Sequence, residues 1–146
     1  RFFTSAYCEG DAPVAGAREY LIDVLARGGD VLYLTGRPRD MAEGTLASFR
    51  RAGFPLPGDA ANGRVVLWLK PVLSDDDDAW KMQCHARLQS MRGLACAFDN
   101  EPTHVNAYAR AFPNAVVVHL DTDHSQRPVE VMGTIPSIHD FRMEPE

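Results

Sequence analysis

Apolar positions along this chain switch repeatedly between two spacings. After Pro13, residues Val14, Ala17, Leu21, Ile22 and Leu25 recur at helical intervals and are followed by Gly28-Gly29, which predicts an amphipathic helix with a glycine stop. Val31-Leu32-Tyr33-Leu34 is then a continuous apolar run, the pattern of a strand buried on both faces. A second helix is expected from about Arg39 to Ala52, burying Met41, Thr45, Leu46 and Phe49, with Gly53 ending it. Val65–Leu69 reads as the second strand, closed by Pro71. Ser74 and Asp75–Asp78 read as an N-cap and an acidic first turn, followed by Trp80, Cys84, Leu88 and Met91 on one helix face and Gly93 as the stop. Leu94–Phe98 is the third strand, and Pro102 opens a helix with Val105, Tyr108, Ala109 and Phe112 as its apolar stripe. Ala115–Leu120 is the fourth strand, and residues 126–146 carry little pattern and are expected as a tail packed on the core.

Strands alternating with helices specify an α/β fold, a mainly parallel sheet with helices on both faces. In such sheets ligands sit beyond the carboxyl ends of the strands. That rule brings three polar segments to one edge: Thr35-Gly36-Arg37, Asp99-Asn100-Glu101 and Asp121-Thr122-Asp123.

Composition narrows the function classes. The 146 residues are one domain's worth, with 45% hydrophobic and 24% charged positions, which excludes a disordered or fibrous chain. No apolar run reaches the length of a membrane span, and no signal peptide precedes the first helix, so the expected location is cytoplasmic and no membrane partner is expected. Lys plus Arg number 15 against 20 Asp plus Glu, and the resulting net charge of −5 disfavours a long nucleic acid as partner. Cys8, Cys84 and Cys96 lack CxxC spacing and fit a reducing compartment, with Cys96 expected in the core. His85, His104, His119, His124 and His139 show no zinc spacing.

The polar segments carry the candidate chemistry. Thr35 supplies a hydroxyl, Gly36 a closely approaching backbone N–H, and Arg37 a planar cation, together an anion site or else a turn with Arg37 in a surface ion pair. Asp99 offers hard oxygens suited to Mg²⁺, or else a helix N-cap. Lys81 lies four residues after Asp77 on one helix face, where the two can pair, either as a phosphate-neutralising unit or as an ordinary surface pair; Lys70 is a rival for the same role.

Taken in order, the hydrophobic strand ending in Thr35-Gly36-Arg37-Pro38, the helix-borne Lys81 and the strand ending in Phe98-Asp99-Asn100-Glu101 resemble the haloacid dehalogenase (HAD) superfamily of phosphohydrolases. The likeness spans residues 13–125, read as a partial Rossmann-like core domain, with residues 1–12 as the end of a linker or cap and 126–146 as the tail. It implies a Mg²⁺-dependent phosphatase in which Thr35 and Gly36 hold the transferring phosphoryl group, Arg37 assists, Lys81 is the motif lysine, and Asp99 holds the metal. The family's first motif, DxDx[TV] after the central strand, has no match before Thr35. The expectation is therefore a chain lacking that central strand, with the aspartate that forms the aspartyl-phosphate upstream of Arg1. Two alternatives stand beside it. Asp121-Thr122-Asp123-His124-Ser125 follows a strand as DxDxS, so a circularly permuted domain would use Asp121 as nucleophile and Asp123 as acid/base. A non-catalytic HAD-like module binding a phosphorylated ligand or partner is the other. The implied substrate is a small phosphomonoester or a nucleic-acid 3′-phosphate, the latter resembling the phosphatase half of polynucleotide kinase-phosphatases.

Overall fold

The computed structural model describes residues 14–59, 63–72, 74–90, 94–122 and 127–142. These divide into two units, one built from residues 14–72 with 140–142 and the other from residues 74–139. Both are α/β, and every strand pairing is parallel.

The first unit contains α1 (Ala17–Ala26), β1 (Val31–Pro38), a single 3₁₀ turn (Arg39–Met41), α2 (Ala42–Ala52) and β2 (Val65–Lys70). β1 and β2 run in register from Val31 opposite Val65 to Thr35 opposite Leu69. Leu21 and Leu25 of α1, Tyr33 and Leu34 of β1, Phe49 of α2 and Trp68 of β2 are buried. The Tyr33 and Phe49 rings pack with centroids 4.6 Å apart, and the Tyr33 hydroxyl donates to the Pro55 carbonyl at 2.7 Å. That bond answers the cost of burying a phenol, whose pKa burial pushes up.

Two expectations are corrected here. Met41 is 46% exposed and belongs to the 3₁₀ turn, so α2 starts at Ala42 and buries Thr45, Ser48 and Phe49. Thr35-Gly36-Arg37-Pro38, for which a turn was one reading, is the end of β1 itself. The register jumps from Thr35 opposite Leu69 to Pro38 opposite Lys70, so Gly36 and Arg37 form an irregularity in the strand.

The second unit contains α3 (Asp77–Ser90), β3 (Cys96–Asp99), α4 (Pro102–Ala111), β4 (Val116–Leu120) and β5 (Ser137–Ile138), with β4 between the other two strands. β5 lies in the segment expected as an unpatterned tail; two residues are too short for an alternation to register. The tail expectation holds better at residue 141, where the Phe141 N–H donates to Ala15 at 2.8 Å and its ring meets Tyr20 at 5.3 Å. Asp76 caps α3 through the Ala79 N–H at 2.8 Å, the role expected of Ser74. Trp80, Cys84 and Leu88 are buried as the spacing predicts, while Met91 and Gly93 lie outside the described residues. Lys81 and His85 are buried on the same helix, where the apolar pattern gave no reason to expect them. Cys96 is only partly buried; its neighbour Ala97 takes the inward position. No helix among the described residues is long and apolar enough to cross a membrane.

Gly63 is a position where packing requires glycine. A Cβ there would overlap the Gly29 carbonyl, because the turns preceding β1 and β2 lie backbone against backbone. Gly63→Ala is expected to cost about 1–3 kcal/mol by overpacking. Gly44, in α2 with open space around it, is the control: Gly44→Ala should be neutral or stabilising by up to about 1 kcal/mol. Urea midpoints of the two variants check this, and equal effects would contradict it.

Candidate functional site

β3 ends at Asp99 and α4 begins at Pro102, so residues 99–101 form a sharp strand-to-helix corner. Asp99 Oδ1 accepts the Glu101 N–H at 2.9 Å, which fixes the corner, and His119 of β4, opposite Asp99 in the ladder, lies 3.3 Å from the Asn100 carbonyl through Nε2. A carbonyl only accepts, so Nε2 carries the proton and Nδ1 accepts from the Ser137 hydroxyl at 2.9 Å. One imidazole thus ties the corner to β5.

On this corner sits a nearly enclosed ion pair. Lys81 Nζ is 3.0 Å from Asp99 Oδ2, with the two side chains 2% and 1% exposed. The expected partner of Lys81, Asp77, is not the one it takes. The inward face of α3 turns the lysine stem toward β3, and a buried carboxylate offers the ammonium a stronger interaction than a solvated helix neighbour. Burial alone would raise the Asp99 pKa, but the Lys81 charge prevails and holds the carboxyl well below the usual range.

His104, in the first turn of α4, extends the pair. Its Nδ1 is 3.4 Å from Lys81 Nζ and 3.5 Å from Asp99 Oδ2, and its Nε2 is 2.8 Å from Asp78 Oδ1. Asp78 also takes the Arg127 guanidinium in a fork, at 2.7 and 3.4 Å. The Arg127 hydrogen bond pulls the Asp78 pKa down to about 2 against the opposing effect of burial. Arg127 Nη2 lies 3.8 Å from Glu101 Oε2, and the Glu101 N–H returns to Asp99. Six residues are therefore linked in a ring, three carboxylates with two fixed cations and one imidazole. Asn106 of α4 fastens the segment after Arg127, donating to the Glu130 carbonyl at 2.8 Å and accepting the Met132 N–H at 2.9 Å.

In the first unit, Thr35 is fully buried and its hydroxyl accepts the Arg37 N–H at 3.2 Å. The Arg37 guanidinium is 3.4 Å from the Thr45 hydroxyl, which in turn donates to the Met41 carbonyl at 2.8 Å. Lys70 is buried opposite Pro38 at the end of β2.

Of the residues singled out in the sequence, Lys81 and Asp99 are thus in direct contact in one unit, and Thr35, Gly36 and Arg37 are consecutive at a strand end in the other. Asp121 follows β4, is about half exposed, and lies 3.5 Å from His139 Nδ1; Asp123, His124 and Ser125 lie outside the described residues. Asp78, His104 and Arg127 were missed as a group. Neither His104 nor Arg127 carried a sequence signal for these contacts, whose partners lie on another element.

Among the described residues no three His, Cys, Asp or Glu side chains gather as a metal site. Asp99, the carboxylate expected to hold Mg²⁺, has Lys81 Nζ on Oδ2 and the Glu101 N–H on Oδ1. No family model, curated protein or solved structure matches the chain.

The site has a pH signature. Burial, aided by the Lys81 charge, lowers the His85 pKa from 6.5 to about 4, between the rings of Tyr108 and Phe112. Between those values the unfolded chain binds a proton that the folded chain does not, so stability falls as pH drops through that window. Asp78 acts in a lower window: from 3.8 to about 2 the folded carboxylate stays ionised while the unfolded one is protonated, and stability again falls with pH. His85→Phe should flatten the upper decline and leave the lower one. Urea midpoints from neutral pH to about pH 3 check this, and an unchanged upper slope would contradict it.

Proposed function

We propose that this chain belongs to a Mg²⁺-dependent phosphohydrolase of the HAD type. The observation that carries the reading is the buried Lys81–Asp99 pair at the carboxyl end of a parallel strand. A lysine and a metal-binding carboxylate placed so deeply suit phosphoryl transfer, in which catalysis consists mainly of positioning and charge neutralisation. Their buried side chains are held from two elements by a ring of hydrogen bonds, unlike a solvated surface pair.

Asp99 is the residue that would hold Mg²⁺. When bound, the ion supplies Lewis-acid neutralisation of phosphoryl oxygens. Lys81 keeps Asp99 ionised and ready as a ligand. Thr35 and Gly36 are assigned the phosphoryl oxygens and Arg37 an assisting role, by the resemblance and by the placement of a buried hydroxyl at the end of β1. The nucleophile is assigned to an aspartate upstream of Arg1, and the enzyme acts through its aspartyl-phosphate. The substrate is a small phosphomonoester or, less suited to the charge of −5, a nucleic-acid 3′-phosphate.

In the protein extended upstream of Arg1, phosphate release from a generic phosphomonoester should require Mg²⁺ and stop in EDTA. Asp99→Asn should abolish it with the fold intact by circular dichroism; wild-type turnover would overturn the metal assignment. Thr35→Val should lower the rate about 10²-fold, the loss typical of one oxyanion donor. A change below about threefold would make Thr35 a turn residue only.

A further inference from the structure

The ammonium of Lys81 has three N–H donors and is 2% exposed. Among the described residues two acceptors meet it, Asp99 Oδ2 at 3.0 Å and His104 Nδ1 at 3.4 Å. The second is an acceptor only if His104 carries its proton on Nε2. The carboxylate of Asp78 at 2.8 Å selects that tautomer, because an anion there needs a donor. Arg127 in turn keeps Asp78 ionised and turned toward the ring. A proton on Nδ1 would instead face the Lys81 ammonium at 3.4 Å with Asp99 Oδ2 at 3.5 Å as its acceptor, a longer contact than the 2.8 Å to Asp78, and would leave a bare Nε2 against the Asp78 carboxylate. The other ionisable group facing this imidazole from α3, His85, is held neutral.

Two fixed acceptors stop an ammonium from rotating, and a threefold rotor with two arms held has its third direction set. We propose that His104 is a positioning residue: its Nδ1 holds the second Lys81 N–H, so that the third is reserved for an oxygen of the phosphoryl group. The phosphate part of this inference rests on the phosphohydrolase reading above; the tautomer and the lysine contact stand apart from it. Neither follows from the sequence resemblance, whose motif residues do not include His104. The role is one of orientation, since His104 acts through Lys81.

Nitrogen-15 NMR of the whole chain at neutral pH tests both parts. Long-range proton–nitrogen correlations should show His104 with a bare Nδ1 and a protonated Nε2, and Lys81 with a slowly exchanging ammonium signal. Adding inorganic phosphate with Mg²⁺ should shift that signal. In His104→Asn the side-chain oxygen takes the place of Nδ1, so the ammonium signal and its response should persist. In His104→Gln the acceptor lies too far along the side chain, and phosphate affinity should fall about tenfold, the scale of one charged hydrogen bond. A protonated Nδ1, or equal behaviour of the Asn and Gln variants, would overturn the positioning role. The expected tautomer with a Lys81 signal unmoved by phosphate would overturn the reserved donor and count against the phosphohydrolase reading, while leaving the His104 contact established.

Discussion

Taking an ammonium and a carboxylate out of water costs several kcal/mol for each ion, and in the second unit the contact of Lys81 with Asp99 must offset that cost. Every local feature around it serves this requirement. The Glu101 N–H and the Lys81 ammonium occupy different oxygens of Asp99, so the carboxylate is satisfied on both sides. His104 gives the lysine its second acceptor, and Asp78 holds His104. Arg127 then balances Asp78 near the surface, where solvent takes up the remainder. Removing Lys81 or Asp99 leaves the other as a desolvated, unanswered charge.

That arrangement explains why an apolar-looking strand ends in a charge. β3 and β4 place buried Ala97 and Val117 on the face of Asp99 and buried Val118 and Leu120 on the other, and the last β3 residue carries the carboxylate at the strand end. Low polarisability around the pair strengthens its internal attraction and makes each unpaired donor costly. A buried ammonium of this kind is suited to an incoming anion, because little water has to be displaced from it. In the first unit a strand departs from register after Thr35, leaving a buried hydroxyl, a glycine and an arginine in succession.

Much of this was legible in the sequence because the hydrophobic period is strong. Val31–Leu34 and Val65–Leu69 are unbroken apolar runs, Val116–Leu120 is interrupted only by His119, and each forms a parallel strand. Asp99 was visible as a carboxylate ending such a run. The partner of Lys81 was not, since Asp77 satisfies the helix-spacing rule and nothing local reveals that this lysine faces inward. His85 and His104 interrupt otherwise apolar helix faces, and polar residues there look like surface until their partners from other elements are known. The β1 irregularity escaped notice because Thr-Gly-Arg-Pro has the composition of a loop, while strand pairing is set by β2, about 30 residues away in a different part of the chain. Arg127 sits in an irregular segment whose position depends on Asn106 and on β5, neither of which has a sequence signature.

The central claim is that the Lys81–Asp99 contact is a coupled, buried pair on which the second unit depends. A double-mutant cycle with Lys81→Met, Asp99→Asn and the two combined, read by urea unfolding at neutral pH, measures that coupling directly. Each single change should cost about 3–5 kcal/mol, because it strands the other charge, and the double variant should be more stable than the sum predicts by about 2 kcal/mol or more. Additive losses, or single losses under about 1 kcal/mol, would contradict the account and make the pair an ordinary solvated contact.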